Sequence, residues 1–154
     1  MKTSILFSFF AASLVLFGAE EYGKRGTTWA QKLVDQTLAK HKDVIIMAMH
    51  VAKAEGEDHK IIADNLGRIG KAADEDDIRV VRTGKPNLEV NTAGDRFEVE
   101  LPVRDVKGNI LGACGIVFNY KKGDDKQALR KKAEAIGKEM QKQIASRAKL
   151  FEPL

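Results

Sequence analysis

The chain has 154 residues, 44% of them hydrophobic, with 26 basic and 22 acidic side chains and a formal net charge of +4. This length corresponds to one domain, and the hydrophobic content is enough for one modest core. The basic residues are interleaved with acidic ones, which excludes the clustered basic face of a nucleic-acid-binding protein. The single cysteine, Cys114, excludes an internal disulfide and a cysteine-type zinc site.

The N-terminus has the pattern of a signal peptide over residues 1–19. Lys2 precedes an apolar run over residues 5–17, and the small residues Gly18 and Ala19 follow the run. The run is shorter than the roughly 20 apolar residues of a membrane-spanning helix. We therefore expect a periplasmic or secreted protein, cleaved near Ala19, with a flexible leader over residues 20–27. Retention of the segment as a membrane anchor is the alternative.

The first half of the predicted domain contains a helix and two strands. A helix over residues 28–40 is predicted because Thr28 and Gln31 form a capping box and apolar residues follow at helical spacing. Residues 44–51 are a continuous apolar run with branched side chains, which indicates a strand covered on both faces. A short strand follows over residues 60–64, and the short connection favours antiparallel pairing.

A middle helix is predicted to begin at four consecutive acidic residues, 74–77. Negative charge in a first helical turn interacts favourably with the positive end of the helix dipole, and we interpret the run as a solvent-exposed helix start. Gly84 and Pro86 are typical of the end of such a helix.

The second half of the domain is predicted to contain three strands and a helix. The strands cover residues 88–90, 97–103 and 110–120. A hairpin turn over residues 105–109 joins the last two strands. A single long helix over residues 124–146 follows, with an apolar stripe on one side and lysines on the other.

Three segments resemble the Cache branch of PAS-like extracytoplasmic sensor domains. They are residues 63–71 with the sequence IGK, residues 81–86 with TGKP, and the hairpin over residues 101–112. The resemblance covers residues 28–120. It implies an α+β, PAS-like domain over residues 28–146, with an antiparallel five-stranded sheet, long N- and C-terminal helices and a middle helix, followed by a tail over residues 147–154.

The resemblance also implies a function. The implied function is small-molecule binding by a sensor module that has no catalytic activity and no cofactor. Because only a short tail follows the last helix, a free-standing binding protein is expected. Its expected partners are a small-molecule ligand, a second copy of the chain through the N-terminal helix, and a membrane-bound signalling protein.

The expected pocket lies between the sheet and the middle helix, where a few polar groups would line an apolar space. Five residues are candidate ligand contacts: His50, Asn65, Arg68, Arg82 and Glu98. Asn65 and Arg68 lie beside glycines, and exposed backbone N–H groups with a guanidinium suit a small organic acid or an amino-acid-like ligand. Glu98 shares a strand face with Glu100 and would pair with an arginine or bind a cationic ligand.

Each candidate also has a purely structural interpretation. His50 lies in an apolar strand and could be a hydrogen-bonded core histidine. Asn65 and Arg68 could serve as turn residues, Arg82 could be a surface arginine, and Glu98 could belong to a solvated strand face.

Two other functions stay open at the level of sequence. With Cys114 as the nucleophile and His50 as its base, the protein would be a hydrolase or transferase, although no orienting acid is identifiable. A dimerising or partner-binding protein without a ligand would use Trp29 of the first helix as its anchor. No metal site is expected, because the three histidines lack ligand spacing and the acidic run 74–77 lacks the loop of a calcium-binding hand.

Overall fold

The computed structural model describes residues 25–154. The predicted signal peptide and most of the predicted leader lie outside these residues. The described part contains four helices and five strands. In chain order they are α1 (Trp29–Lys40), β1 (Val44–Val51), β2 (Lys60–Asp64), α2 (Glu75–Thr83), β3 (Asn87–Val90), β4 (Arg96–Arg104), β5 (Ile110–Asn119), α3 (Lys126–Gln141) and α4 (Arg147–Leu150).

The five strands form one sheet in the order β2-β1-β5-β4-β3, and every neighbouring pair is antiparallel. Each predicted strand is present, with ends that differ from the prediction by at most one residue. The structure therefore confirms the α+β class and the antiparallel five-stranded sheet with a middle helix.

One face of the sheet carries the hydrophobic core. Met49 of β1, Val99 of β4 and Ile116 of β5 are fully buried and pack with Leu33 of α1 and Ile136 of α3. Side chains on a strand point alternately to its two faces, so every second residue of these strands contributes to this core. The two long helices thus cover one face of the sheet and leave the other to α2.

The opposite face is covered in part by α2, which packs on β4 and β5 and buries Val80. The strand residues on this face include His50, Glu98 and Glu100. Gly115 of β5 makes room for the Glu98 carboxylate, because a Cβ atom at that position would collide with it. This face therefore combines titratable side chains with a close approach of the backbone.

The C-terminal region corrects one helix boundary. The prediction of a single helix over residues 124–146 is wrong, because α3 ends at Gln141. Ile144 is buried in the core, and its carbonyl oxygen accepts a hydrogen bond of 2.9 Å from the Val106 N–H. The chain leaves the helix to make these contacts, and the Ser146 side chain then caps α4.

The last residues pack against the start of the described chain. Leu150 of α4 is fully buried. The Trp29 N–H donates to the Glu152 carbonyl oxygen at 2.8 Å, and the Leu154 N–H donates to the Thr27 carbonyl oxygen at 3.0 Å. Thr27 of the predicted leader and Leu154 of the predicted tail are thus hydrogen-bonded to each other.

Among residues 25–154, none of the helices combines the length and the apolar character that crossing a membrane requires.

Candidate functional site

The start of α2 turns one aspartate toward the sheet. Asp74 Oδ1 accepts hydrogen bonds from the N–H groups of Asp76 and Asp77 at 3.0 and 3.1 Å, and Asp77 Oδ2 accepts one from the Asp74 N–H at 3.1 Å. These reciprocal bonds form a capping box. Asp77 lies three residues before Val80, on the buried side of the helix, and is 4% exposed. The interpretation of residues 74–77 as a solvent-exposed run is therefore wrong for Asp77.

Three carboxylates converge between α2 and β4. One oxygen from each of Asp74, Asp77 and Glu100 lies within 4.8 Å of the others, and we call these three residues the acidic cluster. Asp74 is exposed, whereas Glu100 is only 6% exposed. Glu100 Oε2 is buried and has no hydrogen-bond partner within the described part of the chain. The cluster thus brings three carboxyl groups together at the edge of the interior.

His50 lies next to this cluster. Its Nδ1 atom is 3.2 Å from Asp77 Oδ1, but the two groups do not meet in hydrogen-bond geometry, and Nδ1 has no hydrogen-bond partner among residues 25–154. Burial lowers the pKa of His50 to about 4, against the opposing effect of the Asp74 charge. The imidazole is therefore neutral at neutral pH, and the short distance to Asp77 does not represent an ion pair.

The buried carboxyl groups of this face bind protons more tightly than usual. Burial, followed by the charges of Asp77 and Glu98, raises the pKa of Glu100 to about 8, although Asn87 opposes the shift. Burial also raises the pKa of Asp77 to about 6 and that of Glu98 above its ordinary value. The common cause is the transfer of carboxylates away from water next to other acidic groups.

A cleft of about 240 Å³ opens on the same face of the sheet. Besides Asn91, its lining combines three apolar, two basic and two acidic side chains, none of them from α2: Ile46, Leu66, Val117, Arg68, Arg96, Glu89 and Glu98. We call it the α2-face cleft. An apolar surface with a few charged groups of both signs is typical of a site for a small polar molecule.

Arg68 is held at this cleft by a buried aspartate. Its Nε atom donates to Asp64 Oδ2 at 3.0 Å, and Asp64 is fully buried. Asp64 also accepts hydrogen bonds from the N–H groups of Gly67 and Arg68. This network orients the guanidinium through Nε and leaves its terminal nitrogens without a hydrogen bond to the described residues.

The structure brings together two of the five predicted contacts. Arg68 and Glu98 both line the α2-face cleft, and His50 lies beside the neighbouring acidic cluster. Asn65 instead hydrogen-bonds the backbone of β1, at the Ile45 carbonyl oxygen and the Met47 N–H. Arg82 is exposed on α2 and is not part of the cleft lining.

Sequence reasoning missed Asp77 and Arg96, and it considered Glu100 only as a neighbour of Glu98 on the same strand face. The signal for Asp77 was its three-residue spacing to Val80, which puts both side chains on one side of a helix. The signal for Glu100 was the alternation that places it on the same strand face as Glu98. Neither pattern by itself distinguishes a buried face from a solvated one.

A larger cleft of about 830 Å³ lies at the edge of the sheet beside β2. Its walls include Ile61, Ile69 and Phe151, and its polar lining comes from residues 25–28, from the exposed loop over residues 53–58 and from Lys60. Despite its larger volume, this cleft has no set of converging buried polar groups. The charge pattern therefore favours the α2 face as the functional site.

The alternative of a Cys114 and His50 pair is not supported by the geometry. Cys114 pairs with Met49 across β5 and β1, so its side chain points into the core on the helical face. His50 follows Met49 and points to the opposite face, next to α2. Burial also raises the pKa of the Cys114 thiol far above its usual value, which disfavours the reactive thiolate.

Comparisons with known proteins identify the fold. No protein-family model matches the chain, and no curated protein matches it. Solved structures do match: the GAF domain of A. aeolicus nlh2 in an inactive state has a TM-score of 0.55 at 15% identity, over 71% of this chain and 80% of that chain. A GAF sensor protein from Burkholderia vietnamiensis has a TM-score of 0.54 at 9% identity, over 77% and 76%. The Agobacterium tumefaciens repressor BlcR has a TM-score of 0.53 at 11% identity, over 76% and 67%.

Sequence identities this low show a similarity of fold and nothing further. The chain has a PAS/GAF-like fold, which confirms the coarser part of the resemblance noted in the sequence.

Proposed function

We propose that this protein is a non-catalytic, small-molecule-binding module of the sensor type, and that an amino-acid-like zwitterion or a small organic acid binds in the α2-face cleft. The observation that carries this proposal is the meeting of Arg68 and Glu98 in one cleft. The two residues are 30 positions apart in the sequence and come from the loop after β2 and from β4.

The charges of the cleft are complementary to a zwitterion. The guanidinium groups of Arg68 and Arg96 can each donate two parallel hydrogen bonds to a ligand carboxylate. The carboxylates of Glu89 and Glu98 can accept hydrogen bonds from a ligand ammonium group. The apolar residues between them would contact a short side chain.

The size of the cleft limits the ligand. Its volume of about 240 Å³ is below the roughly 300–1,000 Å³ of clefts that hold drug-sized molecules. A free amino acid or a small carboxylic acid fits this volume better than a nucleotide or a sugar phosphate does. The structural neighbours support the proposal in general terms, because one is described as a GAF sensor protein and another as a repressor.

The location and the branch of the fold are proposals too. The apolar N-terminal segment supports export to the periplasm or the medium, with cleavage near Ala19. The IGK and TGKP segments support the Cache branch, with the domain over residues 28–146. A membrane-bound signalling partner would read the ligand state. N-terminal sequencing of the protein purified from a periplasmic host tests the export; an intact Met1 would contradict cleavage.

Dimerisation through the N-terminal helix stays a prediction. Trp29 packs partly against the core of its own chain, and the Lys149 ammonium lies 5.8 Å from its ring centroid. Because Trp29 already contacts its own chain, it does not favour the alternative of a partner-binding protein without a ligand over the sensor module.

The test is a thermal-shift screen of amino acids, small organic acids and amines, followed by calorimetric titration of each hit. We expect one ligand class to raise the melting temperature. Arg96→Ala should weaken its binding about tenfold or more, through the loss of a charged hydrogen-bonding group. Arg68→Lys should also weaken it, because lysine keeps the charge and loses the planar fork.

Arg82→Ala is the matched control, because Arg82 is an exposed arginine outside the cleft. It should bind the ligand as the unaltered chain does. A flat screen, or equal losses in Arg82→Ala and Arg96→Ala, would refute binding in this cleft.

A further inference from the structure

The carboxylates of the acidic cluster have oxygens that the fold itself does not use. The capping box of α2 uses Asp74 Oδ1 and Asp77 Oδ2. Asp74 Oδ2 and Asp77 Oδ1 accept no hydrogen bond from the described residues. Helix capping alone therefore accounts for only half of the oxygens that these two aspartates present.

Glu100 supplies an independent observation, because it comes from β4 and takes no part in the cap. The Glu100 side chain is only 6% exposed and faces both aspartates. Its Oε2 atom has no hydrogen-bond partner in the described part of the chain. Buried carboxylates are usually paired with a cation or coordinate a metal ion. A bound metal ion would supply the partner that the buried Glu100 Oε2 atom lacks among the described residues.

The described basic side chains do not provide that partner. Two nearby arginines bind other carboxylates: Arg68 pairs with Asp64, and Arg79 pairs with Asp76. Within residues 25–154, the acidic cluster forms no ion pair with lysine or arginine, and the neighbouring His50 does not meet Asp77 in hydrogen-bond geometry. The described residues thus supply no cationic partner to the acidic cluster.

We propose that the acidic cluster is a binding site for a divalent cation of the oxygen-preferring class, Ca²⁺, Mn²⁺ or Mg²⁺, held by Asp74, Asp77 and Glu100. Metal–oxygen bonds of about 2.0–2.6 Å allow two ligand oxygens to be up to roughly 5 Å apart. The separations within 4.8 Å in the cluster meet this condition.

The donor atoms explain the choice of cation. The three converging groups are all carboxylates, and His50 Nδ1 is not among the atoms that lie within 4.8 Å of one another. Oxygen donors suit hard cations rather than zinc or copper. Asp74 is exposed, so an ion can enter from that side and keep water molecules in its remaining positions.

The direct test is a titration of the chelator-treated chain with Mn²⁺, followed by the electron paramagnetic resonance signal of free Mn²⁺. Competition with Ca²⁺ and Mg²⁺ then ranks the three cations. We expect saturable binding of one ion per chain. Glu100→Gln should weaken it about tenfold or more, while the metal-free protein stays folded because glutamine keeps the shape of the glutamate side chain and does not ionise.

Glu75→Gln is the matched control, because Glu75 is an exposed carboxylate in the same helical turn. It should bind Mn²⁺ as the unaltered chain does. If Glu100→Gln did not fold, Asp74→Asn would replace it, since asparagine keeps the helix cap and removes the charge. No saturable binding at millimolar Mn²⁺, or equal binding by the cluster variant and Glu75→Gln, would overturn the site.

The cation site does not rest on the proposed ligand. Arg96→Ala is expected to weaken binding of the organic ligand and to leave Mn²⁺ binding unchanged, because Arg96 is not part of the acidic cluster. Equal loss of Mn²⁺ binding in Arg96→Ala would also contradict the site as described.

Discussion

At the scale of single residues, two glutamates on one strand face have different environments. Glu98 lies over Gly115 and lines the α2-face cleft. Glu100, two residues later, lies beside Asp77 and is almost completely buried. The difference arises because α2 covers only part of the sheet face. The same alternation therefore produces one candidate ligand contact and one candidate cation ligand.

The raised pKa of Glu100 predicts a pH dependence of stability. Its value of about 8 exceeds the ordinary 4.5, so the folded chain keeps a proton that the unfolded chain releases. This contribution to stability is full below about pH 4.5 and is lost as the pH rises through about 8. Urea unfolding in the presence of a chelator should give a free energy of unfolding lower by about 1–3 kcal/mol near pH 8.5 than near pH 5.

Glu100→Gln should flatten that loss, because glutamine does not ionise. The pKa of His50, lowered to about 4, acts with the opposite sign: its contribution is lost as the pH falls from about 6.5 through 4. Comparing the two chains at each pH isolates Glu100 from this effect. Parallel pH profiles for the two proteins would show that Glu100 ionises normally in the folded state.

At the scale of elements, α2 shows how a local signal acquires a second role. Its acidic start was predicted from the helix dipole, and the helix does begin there, with Asp74 as the N-cap. The same residues also direct Asp77 into the interface with the sheet. A capping box thus orients a side chain of the candidate cation site.

This arrangement predicts different effects for two substitutions at Asp74 in the chelated protein. Asp74→Ala removes the side-chain acceptor of the cap and should cost about 1 kcal/mol of unfolding free energy. Asp74→Asn keeps an acceptor and should lower the unfolding free energy by only about a few tenths of a kcal/mol, because asparagine is an equally good N-cap. Urea unfolding measures both, and equal losses would mean that the charge, not the cap, stabilises α2.

The predicted hairpin between β4 and β5 is confirmed in detail. Asp105 Oδ1 accepts hydrogen bonds from the N–H groups of Lys107 and Asn109, and Gly108 has a φ of 88°. Such turns depend on residues next to each other in the chain. The end of α3 was mispredicted for the opposite reason, because the burial of Ile144 depends on the distant residues of the core.

At the scale of the whole molecule, the two ends of the described chain stabilise each other. Thr28 and Pro153 form an antiparallel bridge, and Leu150 is buried in the same core as α1. Residues 147–154 are thus packed against the fold.

We expect Leu150→Ala to cost about 2–5 kcal/mol of unfolding free energy, the usual range for deleting a buried leucine side chain. Leu154→Ala is the matched control, because Leu154 is 70% exposed, and it should change the stability by less than about 0.5 kcal/mol. Chemical denaturation of both variants checks the prediction. Equal stabilities would mean that the C-terminal residues contribute little to the core.

The sequence by itself determined the local features of this protein. The alternation of β4, the acidic first turn of α2, the turn at Gly108 and the apolar run of β1 all follow from residues within a few positions of one another. Together they predicted the number, type and order of the elements as far as α3. Arg68 and Glu98 could be chosen as contacts because a strand end beside glycines and a strand face are readable from such patterns.

The tertiary structure alone decided which polar groups are buried and which of them meet. The pairing of β1 with β5 places Cys114 and His50 on opposite faces, and the docking of α2 buries Asp77 and Glu100 while Arg82 stays in solvent. Register and docking depend on contacts between segments distant in the chain, which no local pattern encodes. The proposed cation site exists for that reason only in the folded molecule.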